Sequence, residues 1–460
     1  MVAEILLLKF VIKANIIINV VLFIRLHKVV FMENLFKLKE NATDLRTEVT
    51  AGVTTFLTMV YIVIVNPAIL SSVGVPFEQV FMATIIAAVV GTLIMAFFAN
   101  YPIAIAPGMG LNAYFATVVG TEGLSYQIIF GTVFLAGILF MLLSLTKLRE
   151  TLIGAIPSSL KFGITAGIGL FIAFLGLRQS GIVQASESTL VTLGDLHQML
   201  PLLSIVGLFI TIILISLKVK GAFFLGMLAT GIIGFVTGQL EFDGLVSAPP
   251  TPVFFDIDVA GVFSNGLYGV IFVFLLVTLF DTTGTMIGVA EQANLIKNGE
   301  IPRAKSALLA DAISTTTGSL FGTSPSTAYM ESTSGVSAGG RTGLTSLVVG
   351  VLFIVSMFFS PLIAAISNFP AITAPVLIIV GCFMMDGLAR IDWKSFDEAF
   401  PAFAIILTMP LTSSIATGIA IGFITYPLMK VLGGKGKQVH WILYLFGLIF
   451  LVQMIFFPVH

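Results

Sequence analysis

The sequence predicts an all-α protein that crosses a membrane many times, and three observations predict it. Of 460 residues, 57% are hydrophobic and 10% charged, with a mean hydropathy of +1.09; a soluble domain carries about 25% charged residues. Apolar stretches of about 20 residues, the length of a helix across a bilayer, recur along nearly the whole chain. Lysine and arginine gather in alternate connections, the habit of cytoplasmic loops. No separate soluble domain fits between the apolar stretches, and a net charge of −1 gives no reason to expect nucleic acid.

The elements follow in order. Residues 1–31 form an atypical extension, because Lys9, Lys13, Arg25 and Lys28 bracket an apolar core too short for a span. An amphipathic lead-in opens at Met32. Span 1 covers 49–70, entered through the cap-type residues Thr43 and Asp44. Span 2 is 77–99. Residues 103–115, I-A-I-A-P-G-M-G-L-N-A-Y-F, are too rich in Gly and Pro for a plain helix and predict an extended piece followed by a half-helix, span 3. Span 4 is 126–146, and 147–159 is polar surface. Spans 5, 6 and 7 are 162–177, 200–217 and 222–240. The Pro-rich, acidic stretch 241–259 divides the chain. Span 8 is 267–291 and span 9 is 304–321. Residues 324–340 form a second broken segment, span 10. Spans 11 and 12 are 342–366 and 371–388. Residues 401–430 read best as a tight pair, spans 13 and 14, broken around Pro410, Thr412 and Ser413. The apolar tail 441–457 is either interfacial or a further crossing.

Charge fixes the orientation. With the N-terminus in the cytoplasm, the inner loops hold Lys37, Lys39 and Arg46, then Lys147, Arg149 and Lys161, then Lys218 and Lys220. They continue with Lys297, Arg303 and Lys305, then Arg341, then Arg390 and Lys394. The outer loops hold Arg178 alone, among Glu187, Asp195, Glu241, Asp243, Asp256 and Asp258. Spans 13 and 14 as a pair put Lys430, Lys435 and Lys437 inside as well.

The fourteen spans divide seven plus seven, as repeats over 44–240 and 260–431 with a tail over 432–460. An odd number per half inverts one repeat relative to the other. Spans 3 and 10, third in each half, are the broken ones: Pro107, Asn112 and Tyr114 in one, Pro325, Tyr329 and Glu331 in the other. Interrupted segments at matching positions of two halves are the best sequence pointer to a transporter's binding site, since unpaired backbone at that depth must face protein or water.

The polar residues inside the spans are the candidates. A membrane carboxylate is costly unless it faces a cavity or a partner. Glu331 can accept N–H bonds from a flat heterocycle or hold a proton; the plain alternative is that it caps its own half-helix. Asp281, flanked by Thr282, Thr283 and Thr285, is the second, against a structural tie to a neighbouring helix. Asp311 is weighed evenly between a structural partner and a proton path. Gly108, Gly110, Asn112 and Thr285 complete a central site, the glycines competing with a close-packing role. Phe56 is a candidate to stack on a planar ligand. Asp386 and Glu291 read as interfacial.

Enzyme and metal chemistry fit poorly. Cys382 is the only cysteine, and His27, His197, His440 and His460 all lie outside the spans, so neither a metal site nor a His-based triad is expected. The G-x-G-D of an aspartyl intramembrane protease and the G-x-x-x-x-G-K-[ST] phosphate loop are both missing from the sequence. No cofactor is expected; an ion or solute gradient supplies the energy.

Five motifs carry a resemblance: T-D-L-R-T-E-V-T-A-G-V-T-T-F-L-T-M-V-Y-I, N-P-A-I-L, A-P-G-M-G-L-N-A-Y-F, L-F-D-T-T-G-T and G-T-S-P-S-T-A-Y-M-E-S. Over residues 33 to about 455 the chain resembles the AzgA-like purine permeases, relatives of the nucleobase/ascorbate transporters. The resemblance implies the uracil-permease type of fold, with spans 1–4 and 8–11 as a core domain and spans 5–7 and 12–14 as a gate domain. It implies proton-coupled uptake of hypoxanthine, guanine or adenine across the cell membrane, with a homodimer formed through the gate. Its purine site falls on Gly110, Asn112, Asp281 and Glu331. The same fold in anion exchangers is the competing expectation, but an anion site wants cations or bare N–H groups rather than paired carboxylates.

Overall fold

The computed structural model describes residues 32–146, 148–241, 244–296 and 301–456. The 1–31 extension and the loop charges Lys147, Asp243 and Lys297 lie outside them. Among the described residues, nine helices are long and apolar enough to cross a membrane, and 222–236 and 441–455 are shorter apolar helices.

The first half opens with α1 (Leu45–Met59) and α2 (Ile62–Ser71), then α3 (Phe77–Ile94), strand β1 (Ile105–Pro107), α4 (Met109–Glu122) and α5 (Tyr126–Leu145). A short α6 (Leu148–Ala155) leads to α7 (Ser158–Gln179), a hairpin of β2 (Val183–Ser186) and β3 (Leu190–Leu193), α8 (Met199–Ser216) and α9 (Ala222–Val236). The second half runs through α10 (Val259–Ser264), α11 (Tyr268–Gln292), α12 (Ala304–Phe321), β4 (Ser326–Ala328) and α13 (Ser332–Ser337). It ends with α14 (Gly343–Ser356), α15 (Ser360–Ser367), α16 (Pro370–Phe383), α17 (Phe396–Thr412), α18 (Ile415–Leu432) and α19 (Trp441–Phe456).

Three features differ from the sequence reading. The expected all-α fold carries an extra hairpin, β2–β3, in an exposed connection. Span 1 is not continuous: a turn at Val60 and Tyr61 separates α1 from α2, and Pro67 inside α2 supplies no N–H to the helical ladder. The pair α17 and α18 breaks at Ser413, in a left-handed conformation at φ 50°, while Pro410 stays inside α17.

The tail, left open by the sequence, is a regular helix packed on α18. Its Phe446 and Phe450 rings meet both Phe423 of α18 and Phe272 of α11. Farther along, the Gln453 amide closes on Gly269, at the opposite end of α11 from Gln292.

The helices pack in two groups. In one, α12 lies on α3 and α5, α1 on α14, α2 on α3, and α11 on α5. In the other, α7 lies on α16 and α17, α17 on α18, and α8 on α9 and α16. The groups meet more lightly where α4 touches α7, α9 touches α1 and α11 touches α18.

Polar ties fix the first group. Asp44 caps α1 as its residue type suggests, accepting from the backbone N–H groups of Thr47 and Arg46. Bonds from Thr47, backbone first, then hydroxyl, hold its carboxyl below the usual carboxylate range. Asn66 is fully buried and donates to Thr84 and Thr323, joining α2, α3 and the segment before β4. Glu48 is fully buried in α1 and accepts from the N–H of Arg341 at 2.8 Å, from the N–H of Thr345 at 3.1 Å and from the Thr345 hydroxyl at 2.6 Å. It thereby serves the free donors at the start of α14.

Glu48→Ala strands these buried donors and costs on the order of 3 kcal/mol. A clear fall in the melting temperature of the detergent-purified protein is expected, and Glu48→Gln, which keeps an acceptor, falls less.

Candidate functional site

The site forms where the two broken segments cross. β1 and β4 pair antiparallel, Ile105 opposite Ala328, Ala106 opposite Thr327 and Pro107 opposite Ser326. Gly108 N–H donates to the Pro325 carbonyl at 2.9 Å, and Tyr329 N–H to the Ala104 carbonyl at 2.9 Å. The prolines at 107 and 325 explain the extended backbone: each bars helix for the residue before it and donates nothing itself.

A two-stranded ribbon leaves its outer edges unpaired, which is intolerable at bilayer depth unless something else pairs them. Hydroxyls on the surrounding helices do so. Thr92 both donates to the Ile105 carbonyl and accepts from the Ile105 N–H, each at 3.0 Å. Ser332 accepts from Ala104 N–H at 3.1 Å, Thr315 from Ser326 N–H at 3.0 Å and Thr282 from Ala328 N–H at 3.2 Å.

α4 and α13 leave this crossing with their N-termini toward it. Asn112 lies in the first turn of α4, fully buried; among the described residues its amide nitrogen meets the Met109 sulfur at 3.9 Å, and its amide oxygen has no hydrogen-bond partner. Glu331 occupies the N-cap position of α13 but makes no capping bond with its side chain. Its carboxylate instead accepts from the Tyr61 hydroxyl at the turn between α1 and α2. Glu331 is half-buried.

Asp281, midway along α11, is also half-buried. It lies beside Thr327 of β4 and stands within electrostatic reach of Glu331. Thr285 follows one turn later and is buried. Asp311 sits deeper: fully buried, it accepts from Thr282, which binds β4 in turn, while its second oxygen has no hydrogen-bond partner.

The two glycines divide in role. A Cβ on Gly108 would lie 3.0 Å from the Thr327 side chain, so this glycine lets the strands close beside Asp281. A Cβ on Gly110 would sit 2.5 Å from Ile168 of α7, which makes Gly110 the close contact between the two helix groups. The Phe56 ring stands edge-on to Phe353 of α14, centroids 5.3 Å apart.

The groups beside the carboxylates that the sequence reading did not assign are Tyr61, Thr327, Tyr329 and Phe223. Tyr329 donates to the Pro107 carbonyl at 2.6 Å, and the Tyr61 ring lies between Tyr329 and Phe223. A tyrosine amid V-Y-I in a buried span is itself the available signal, because its hydroxyl needs a partner there.

Beyond Asp281, α11 is partly exposed. From Val273 to Leu279 every residue is buried, whereas Gly284 and Glu291 are exposed on the same helical face as Asp281. Open space surrounds the position a Gly284 Cβ would take, and Gly288 faces the half-exposed Met330 next to Glu331.

Comparison with known proteins decides the class of machine. The permease family matches residues 46–421. The chain belongs to that family. It is therefore a multi-pass membrane transporter, not an enzyme. This permease is 58% identical to the guanine/hypoxanthine permease PbuO of Bacillus subtilis (strain 168), over 91% of this chain and 99% of the relative. It is 46% identical to the adenine permease AdeP of Escherichia coli (strain K12), over 93% of this chain and 97% of the relative. Among solved structures, its fold is similar to the transmembrane domain of a cyanobacterium bicarbonate transporter, BicA, with a TM-score of 0.63 and 18% identity, over 82% of this chain and 97% of that one. It is also similar to SLC26A9, with a TM-score of 0.61 and 14% identity, over 85% of this chain and 66% of that one.

Gly110→Ala in this permease forces the two helix groups apart, an overpacking cost of about 1–3 kcal/mol. Transport is expected to fall sharply, and Ile168→Ala in the same chain to restore much of it, read as initial uptake rate per amount of protein in the membrane.

Proposed function

We propose that this permease imports purine nucleobases across the cell membrane, coupled to protons by alternating access. The observation that carries the reading is the pair of half-buried carboxylates, Glu331 and Asp281, beside the buried, unsatisfied amide of Asn112. Purines are flat and rich in N–H donors and ring-nitrogen acceptors. Glu331 and Asp281 accept, Asn112 both donates and accepts, and buried polar groups left unpaired reject ligands that cannot satisfy them. The guanine/hypoxanthine and adenine permeases among its relatives, similar over nearly their full length, support the same substrate class.

Protons are the coupling ion in this reading. Asp281 and Glu331 are reachable acids at the site, and Asp311 continues inward through Thr282. No cofactor is needed. The group containing α1–α5 and α11–α15 acts as the core and the group of α7–α9 and α16–α18 as the gate, within a fourteen-span inverted repeat. The antiparallel crossing of β1 and β4 and the light contact between the groups support that division. The lysine and arginine bias puts the N-terminus in the cytoplasm, and the partly exposed C-terminal half of α11 then lies on the inner side. A homodimer through the gate rests on family resemblance.

The fold likeness to a bicarbonate transporter motivates an anion-carrying alternative, which the carboxylate-lined site disfavours. Radiolabelled hypoxanthine uptake into energised vesicles tests the reading. Accumulation should collapse with a protonophore and be competed by guanine or adenine, not by bicarbonate or sulfate. Glu331→Gln should abolish accumulation; normal uphill uptake by that variant contradicts the mechanism.

A further inference from the structure

The Tyr61 hydroxyl donates to the Glu331 carboxylate, while the tyrosine itself is only 1% exposed. Phenylalanine would fill the same space without burying a hydroxyl, so the hydroxyl has the carboxylate as its purpose. Since the Glu331 side chain makes no cap on α13, this bond is what orients it. Tyr61 also sits at the one interruption between α1 and α2, where its ring lies 5.3 Å from Phe223 of α9. Phe223 in turn lies 6.0 Å from Phe383 at the end of α16. Tyr61 thus joins a site residue of one helix group to the aromatic face of the other.

We propose that Tyr61 is the positioning residue for Glu331: its hydroxyl fixes one carboxylate oxygen so that the other faces the substrate, and its ring carries that arrangement to Phe223. The substrate part rests on the purine reading above.

Equilibrium binding of labelled guanine to the purified full-length protein, with initial-rate uptake in vesicles, tests it. Tyr61→Phe should raise Kd and KM about tenfold, as for loss of one bond to a charged group, with Vmax within about twofold. In a Glu331→Ala background, which leaves the Tyr61 hydroxyl no acceptor at that position, Tyr61→Phe should add no further loss, the mark of action through one partner. Phe223→Leu, which keeps the hydroxyl, should instead lower Vmax several-fold with KM unchanged. Wild-type affinity in Tyr61→Phe, or full additivity with Glu331→Ala, overturns the proposal. Infrared spectra read the pairing without any purine: Tyr61→Phe should shift a carboxyl band that Glu331→Gln removes. No shift refutes the pairing itself, whereas a shift in a protein that binds no guanine keeps Tyr61 in its role and overturns only the purine reading.

Discussion

Everything near the site depends on satisfying backbone groups where no water is guaranteed. Two short strands cross between the helices, and each has one edge paired with the other and one edge bare. Thr92, Thr282, Thr315 and Ser332 close those bare edges from four different elements. A hydroxyl suits this work because it donates and accepts at once, is small, and still fits a helix. The arrangement is rigid for the same reason: each hydroxyl is committed, so the strands cannot slide without stranding a polar group.

That rigidity is what makes two acids usable. Strand β4 places Thr327 beside Asp281 of α11, and the chain leaving β4 supplies Glu331 and Tyr329. The two carboxylates are therefore brought together by the strand crossing and the helix against it. Both remain half-buried, whereas Asp311, tied to the same frame through Thr282, is fully buried. Depth, more than residue type, separates the reachable acids from the enclosed one.

Much of this is legible in the residues themselves. Proline and glycine at 107, 108 and 325 forbid plain helix, and the cost of burying a charge singles out Asp281, Asp311 and Glu331. The cap at Asp44 follows from its position before an apolar run. What the sequence hides is partnership across distance. Tyr61 and Glu331 are 270 positions apart, and nothing local to either names the other. Glu48, in the first turn of α1, serves the start of α14, 293 to 297 positions away. The β2–β3 hairpin escaped notice because neither strand has a buried face to impose alternation, with Leu190, Val191 and Leu193 all exposed.

The tail helix α19 touches both helix groups at once, Phe272 of α11 on one flank and Phe423 of α18 on the other. Ring against ring is a contact without direction; it loses little when its members slip by an ångström or two, unlike a hydrogen bond. A seam of this kind behaves as a bearing. It holds two bodies together while leaving them free to shear, and the chain has put its most apolar helix there.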